Sequence, residues 1–172
     1  MVAARCWPGA GGGPRPVLAA AGAELGFGTL FTDALARAQL VVDALWQHPP
    51  HLPHLVHGDL APQTVTVSPT DGLVLIDFQD TVRGLEIQDL AITVAALRRA
   101  PNGDRLVDAF RRGYAERHPW PDASPALVDS LIIARALHQL NLTLNIADDP
   151  LDDYVAGHAE RVRGWLKGPT GM

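Results

Sequence analysis

The chain has one cysteine, Cys6, and one lysine, Lys167. A lone thiol excludes an internal disulfide and fits a reducing compartment. Basic residues are scarce: 14 Lys and Arg stand against 19 Asp and Glu, a formal net charge of −5. That balance argues against a nucleic-acid binder, whose grip on phosphates needs clustered cations. Long apolar runs are missing too. The best stretch, Leu131 to Ile146, is interrupted by Arg135, His138, Gln139 and Asn141, so no membrane span is expected. Val17 to Ala23 is too short and too weakly apolar for a signal peptide, and the cytoplasm is the expected location. No internal repeat is visible.

What is present is a globular composition. Of 172 residues, 47% are hydrophobic, enough for one domain with a core. Residues 1–27 are rich in Gly, Ala and Pro and read as a flexible tail, with residues 169–172 as a second one. The apolar spacing of Leu30, Phe31, Leu35, Val41 and Leu45 predicts a helix within Gly28–Gln47, closed by Pro49 and Pro50. Val65–Val67 and Leu73–Ile76 read as strands, and the Ser68–Gly72 segment between them has hairpin-loop chemistry. Everything after Glu86 reads as helical. Asp89–Arg99 and Asp104–Arg117 are amphipathic, Pro125–Ile146 has Ser124 as its N-cap, and Leu151–Leu166 ends before Gly168 and Pro169.

The chemistry is carried by His57-Gly58-Asp59-Leu60 ahead of the hairpin and Ile76-Asp77-Phe78 at its end. Two carboxylates thus stand on loops flanking a small sheet. Phosphoryl transfer asks for such a pair: one orients the attacking hydroxyl and receives its proton, and the other holds magnesium. The kinase pattern adds a metal-binding Asn five residues after the first Asp. Here that position is Thr64, a shorter and weaker ligand. His57 is expected to fix the loop by hydrogen bonds, and Gly58 to permit a tight turn or close approach. Each dipeptide alone is ordinary loop chemistry; the combination carries the reading. A metal-dependent hydrolase would use the same carboxylates, but no further His or Asp cluster at ligand spacing supports a two-metal site.

The segments His57-Gly58-Asp59-Leu60-Ala61-Pro62, Val65-Thr66-Val67, Leu75-Ile76-Asp77-Phe78-Gln79-Asp80 and Gln88-Asp89-Leu90-Ala91 resemble the C-terminal lobe of the aminoglycoside phosphotransferase and choline kinase-like family. The resemblance implies a mainly helical α+β fold over residues 28–168, the C-terminal lobe of a protein-kinase-like fold, with a small β-hairpin carrying the catalytic loops. It implies ATP and Mg2+ as cofactors and a small-molecule hydroxyl as phosphate acceptor. It implies Asp59 as catalytic base, Asp77 as metal ligand and Thr64 as a weak metal ligand in the family's Asn position. His57, Gly58 and Asp89 would support the catalytic loop, with Gln79 or Asp80 as secondary contacts. Without the family, Asp89 reads as an ordinary helix cap.

Two departures qualify the expectation. Thr64 in place of Asn implies weak or absent turnover. A nucleotide-binding lobe is not recognisable: Gly9, Gly11, Gly12 and Gly13 run into Pro14 where the spaced pattern needs Gly, and Lys167 lies at the far end. The expectation is a truncated or degenerate catalytic lobe, with a non-catalytic pseudokinase-like binding module as the alternative. An uncovered apolar face would then promote self-association or accept a separate nucleotide lobe.

Weaker patterns have plainer readings. His48, His51, His54 and His57 recur every third residue and would share one face of a polyproline II segment, but the run has loop chemistry. Asp148, Asp149, Asp152 and Asp153 suit a helix N-terminus better than a cationic substrate. Arg98, Arg99, Arg105, Arg111, Arg112 and Arg117 read as solvated helix faces.

Overall fold

The computed structural model describes residues 15–47, 52–146 and 151–168. In chain order the elements are α1 (Arg15–Glu24), α2 (Leu30–Gln47), β1 (His54–Val56), β2 (Val65–Ser68), β3 (Gly72–Leu75), β4 (Val82–Gly84), α3 (Glu86–Arg98), α4 (Gly103–Ala115), α5 (Pro125–Ile146) and α6 (Asp152–Leu166). Short 3-10 turns occupy Pro62–Thr64 and Phe78–Asp80. The architecture is mainly helical with a small β region. It divides into two compact units, one from residues 1–48 and 124–172, the other from residues 49–123.

The first unit is a cluster of α1, α2, α5 and α6. The tail expected over residues 1–27 gives way at Arg15 to a helix. Its alanines favour helix, Pro16 sits in the first turn where a missing N–H costs nothing, and Leu18 is almost fully buried. The helix ends at Gly26 in the left-handed region (φ 74°), where the Phe27 N–H bonds back to the Gly22 carbonyl at 2.7 Å and the Gly26 N–H to Ala23 at 3.3 Å. Residues 1–14 and 169–172 lie outside the described residues. Leu18, Phe31, Leu137, Leu140 and Val155 pack into the core of this unit. Each large side chain so buried contributes about 1.5–3 kcal/mol of transfer free energy.

Two ends are tied off by side chains. The Ser124 hydroxyl accepts the Leu127 N–H at 3.1 Å and caps α5. Arg37 donates to the Leu166 and Gly168 carbonyls at 2.9 and 3.0 Å, closing α6 at its negative end. Its guanidinium also lies 4.4 Å from the centre of the Trp165 ring.

The second unit holds β1, β2, β3, β4, α3 and α4. Two antiparallel ladders form where one hairpin was expected. β2 pairs with β3, with Val65 opposite Leu75 and Ser68 opposite Gly72. β1 pairs with β4, with His54 opposite Gly84 and Val56 opposite Val82. A polyproline II run through His54 is therefore replaced by a ladder strand there. The hairpin loop is closed by Ser68 and Thr70 hydroxyls donating to Asp71, which hold its carboxyl below the usual range. One hairpin face leaves Val67 and Leu73, directly opposite each other, 74% exposed.

α3 starts three residues before the expected Asp89. The Gln88 side chain accepts the Leu85 N–H at 2.8 Å and fixes that start. Ile87 through Val94 are all buried, so α3 is a central helix and not the amphipathic one its pattern suggests. α4 packs on it and carries two rings of an aromatic group. Phe110, Tyr114 and Trp120 meet edge-on or tilted at 5.5–6.3 Å. The Tyr114 hydroxyl donates to Glu86 at 3.2 Å. Burial first, and then the Glu86 carboxylate, push the Tyr114 phenol up to about 12.

Candidate functional site

The two ladders create the site by holding two loops between them. Loop 57–64 leaves β1 beside β4 and enters β2 beside β3, while loop 76–81 runs the other way between the same ladders. The candidate site residues sit on these loops: His57, Gly58, Asp59 and Thr64 on the first, Asp77, Gln79 and Asp80 on the second.

One imidazole stitches the loops together. His57 Nε2 lies 2.9 Å from the Ile76 carbonyl oxygen, which can only accept, so Nε2 carries the proton. The Asp59 N–H points at His57 Nδ1 at 3.3 Å, which needs a lone pair there. Both contacts select one neutral tautomer. The Ile76 N–H bonds to the Thr64 carbonyl at 2.9 Å, so both polar groups of Ile76 are held by the first loop. The buried His57 ring also packs on Phe78, centroids 4.8 Å apart. Asp77 follows Ile76 directly, and the Asp59 backbone hangs from the same ring.

Gly58 adds a close approach. Its φ is 82°, and a Cβ there would overlap the Asp80 carbonyl oxygen. Glycine is required twice over, by the left-handed backbone and by the absence of space.

Asp89, in the first turn of α3, is buried and aims its carboxylate at the start of the first loop. Oδ2 accepts the His57 N–H at 2.7 Å and Oδ1 the Gly58 N–H at 2.9 Å. Two charge-assisted bonds to consecutive amides fix the entry to Asp59. One helical turn on, Thr93 donates from its hydroxyl to the Leu60 carbonyl at 2.7 Å.

Thr64 is buried, and its hydroxyl is turned into its own loop. It lies 2.9 Å from both the Asp59 and Ala61 carbonyls and accepts the Ala61 N–H at 3.2 Å. Its one proton is committed inside the loop, which leaves at most one lone pair for a metal.

Asp77 is exposed and has left-handed backbone angles, φ 66° and ψ 60°. Aspartate tolerates that region better than most residues, at a cost of about 1 kcal/mol or more. Its carboxylate does not cap the 3-10 turn that follows it. Gln79 and Asp80 are exposed on that turn.

Residues 15–128 match the phosphotransferase enzyme family. The chain belongs to that family. The match spans both loops and α3 and accords with the aminoglycoside phosphotransferase-like resemblance. An uncharacterized protein of Deinococcus radiodurans is 33% identical over 90 residues, covering 50% of this chain and 26% of that protein. The chain therefore spans about a quarter of that relative's length. No solved structure matches the chain. Phosphotransferases of this family generally use ATP and Mg2+.

The oxygen donors on the two loops suit that metal. Magnesium is a hard cation that takes one or two carboxylates and keeps waters besides. An exposed Asp77 carboxylate that caps nothing is a fitting donor, and Thr64 is a poor one. Among the described residues the other patterns supply no competing centre. His48, His51, Asp148 and Asp149 lie outside the described residues. Among the described residues no group of three or more His, Cys, Asp or Glu could hold a metal ion by itself. Among them too, no helix is long and apolar enough to cross a membrane.

Sequence patterns missed three parts of this arrangement: the β1–β4 ladder, the Ile76 carbonyl and Thr93. β1 and β4 are three residues each and pair across a long separation, so no local signal marks them. The only trace of Thr93 is its place four residues after Asp89, on the same helix face.

Proposed function

We propose that the chain transfers the γ-phosphate of ATP to a hydroxyl of a small molecule, with Mg2+ as cofactor. Asp59 is the base and Asp77 the metal ligand. The single observation that supports this most is the His57 bridge, which joins the Asp59 amide to the carbonyl just before Asp77. A shared support makes sense if both carboxylates serve one reaction, and family membership gives the reaction its class.

In the step itself, Asp59 accepts a hydrogen bond from the acceptor hydroxyl and orients its oxygen in line with the γ-phosphorus. The new oxygen–phosphorus bond forms as the β–γ bridging bond breaks, ADP departs, and the hydroxyl proton passes to Asp59. Magnesium, when bound, neutralises phosphate charge. Asp77 holds its place through a backbone fixed on the residue before. Asp89 and His57 keep the Asp59 loop from relaxing.

A non-catalytic binding module is the second reading, and the inward-turned Thr64 hydroxyl favours it. The two separate on one experiment. Incubation with Mg2+, γ-labelled ATP and a panel of sugars, amino sugars and amino alcohols should label an acceptor with the wild type and not with Asp59→Asn. Label transfer that survives Asp59→Asn, or no transfer to any acceptor, contradicts the enzyme reading.

A further inference from the structure

We propose that Thr93 is a positioning residue for Asp59, acting through the Leu60 carbonyl; its link to catalysis rests on the function proposed above. Asp89 and Thr93 are four residues apart on α3, on one helix face and about 6 Å apart along the axis. They grip the Asp59 segment from both ends. Asp89 takes the N–H groups of His57 and Gly58 before Asp59, and Thr93 takes the carbonyl of Leu60 after it. The two grips are complementary, since an acceptor meets the donors and a donor meets the acceptor. The aspartate is thereby held on a two-residue span between clamps on a single rigid helix.

Geometry separates this role from what a helical threonine does anywhere. Buried threonines commonly back-bond to the carbonyl one turn earlier. Thr93 has that contact as well, to Asp89 at 3.2 Å, but the bond to Leu60 is shorter at 2.7 Å. A hydroxyl has one proton, and the shorter bond takes it. Thr93 is buried, so water does not readily replace the lost donor. The demand at position 93 is for a hydroxyl and not for threonine's shape.

Thr93→Val keeps the shape and deletes the donor, and Thr93→Ser keeps the donor and deletes a methyl. Amide hydrogen exchange on the full chain, residue by residue, reads the loop without needing turnover. The Asp59 and Ala61 amides should exchange about tenfold faster in Thr93→Val, while β2 and β3 amides stay within about twofold. Thr93→Ser should return the loop to within about threefold of wild type. With an active acceptor, kcat should fall about tenfold in Thr93→Val with the nucleotide KM unchanged, and recover in Thr93→Ser. Unchanged loop exchange, equal acceleration in loop and hairpin, or a serine variant that behaves like valine overturns the proposal. If the wild type transfers no phosphate, the proposed function fails on its own, and the exchange data still decide whether Thr93 positions Asp59.

Discussion

His57 donates from Nε2 to the Ile76 carbonyl oxygen at 2.9 Å, and this bond joins the loop of Asp59 to the loop of Asp77. His57→Phe keeps a ring against Phe78 and removes both nitrogen contacts. Leaving the Ile76 carbonyl unmatched should cost about 1–3 kcal/mol, read as a lower urea midpoint at unchanged slope. An unaltered midpoint would show that the imidazole is a passive spacer.

Gly58 has no room for a side chain. Gly58→Ala must displace Asp80 and hold an alanine at φ 82°. The expected loss is about 2–4 kcal/mol, with phosphotransfer abolished. Gly72→Ala is the control. It also has positive φ, but nothing lies within 4 Å of its added Cβ, so it should lose only the conformational part, about 1 kcal/mol. Equal losses at the two sites would refute the close-approach argument.

If Asp77 holds the metal as proposed, its left-handed backbone is a stability cost carried for that role. Asparagine also tolerates the left-handed region, so Asp77→Asn should unfold within about 0.5 kcal/mol of wild type. Asp77→Gly should be equal or more stable, because it relieves the backbone cost. Both should lose phosphotransfer by at least about a hundredfold, since neither offers a carboxylate to the metal. Loss of stability in Asp77→Gly would mean that the carboxylate is structural.

How much of this was legible depends on how local the cause is. Ser124 announces α5 because a cap acts within three residues. The β2–β3 hairpin is legible for the same reason, through its turn chemistry. The frame around the site is not, since Val56 finds Val82 and Thr93 finds Leu60 across long stretches of chain. His57, Gly58 and Asp89 stand out by type and spacing, but only the fold shows the acceptor that His57 serves and the carbonyl that Gly58 must clear. Thr64 shows the limit most sharply. Its sequence position suggests a metal ligand, and its hydroxyl is turned back into the loop.

The Tyr114–Glu86 contact sets a limit at alkaline pH. The phenol ordinarily loses its proton near 10.0 and is held here to about 12. The folded state thus binds this proton more tightly than the unfolded chain. Its stability contribution is fully present below pH 10 and is lost as pH rises through 12. Chemical denaturation between pH 9 and pH 12 should show this decline, and Glu86→Gln should lower the Tyr114 transition followed by ultraviolet absorbance. A Tyr114 transition unaffected by Glu86→Gln would contradict the assignment.

Manganese, a paramagnetic stand-in for magnesium, gives the most direct test of the two-loop site. Electron paramagnetic resonance can follow Mn2+ uptake in the presence of ATP by the wild type, Asp77→Asn and Asp59→Asn. The expected result is uptake by the wild type and by Asp59→Asn, markedly weakened in Asp77→Asn, with phosphotransfer absent from both variants. Uptake by Asp77→Asn as strong as the wild type's would contradict the account.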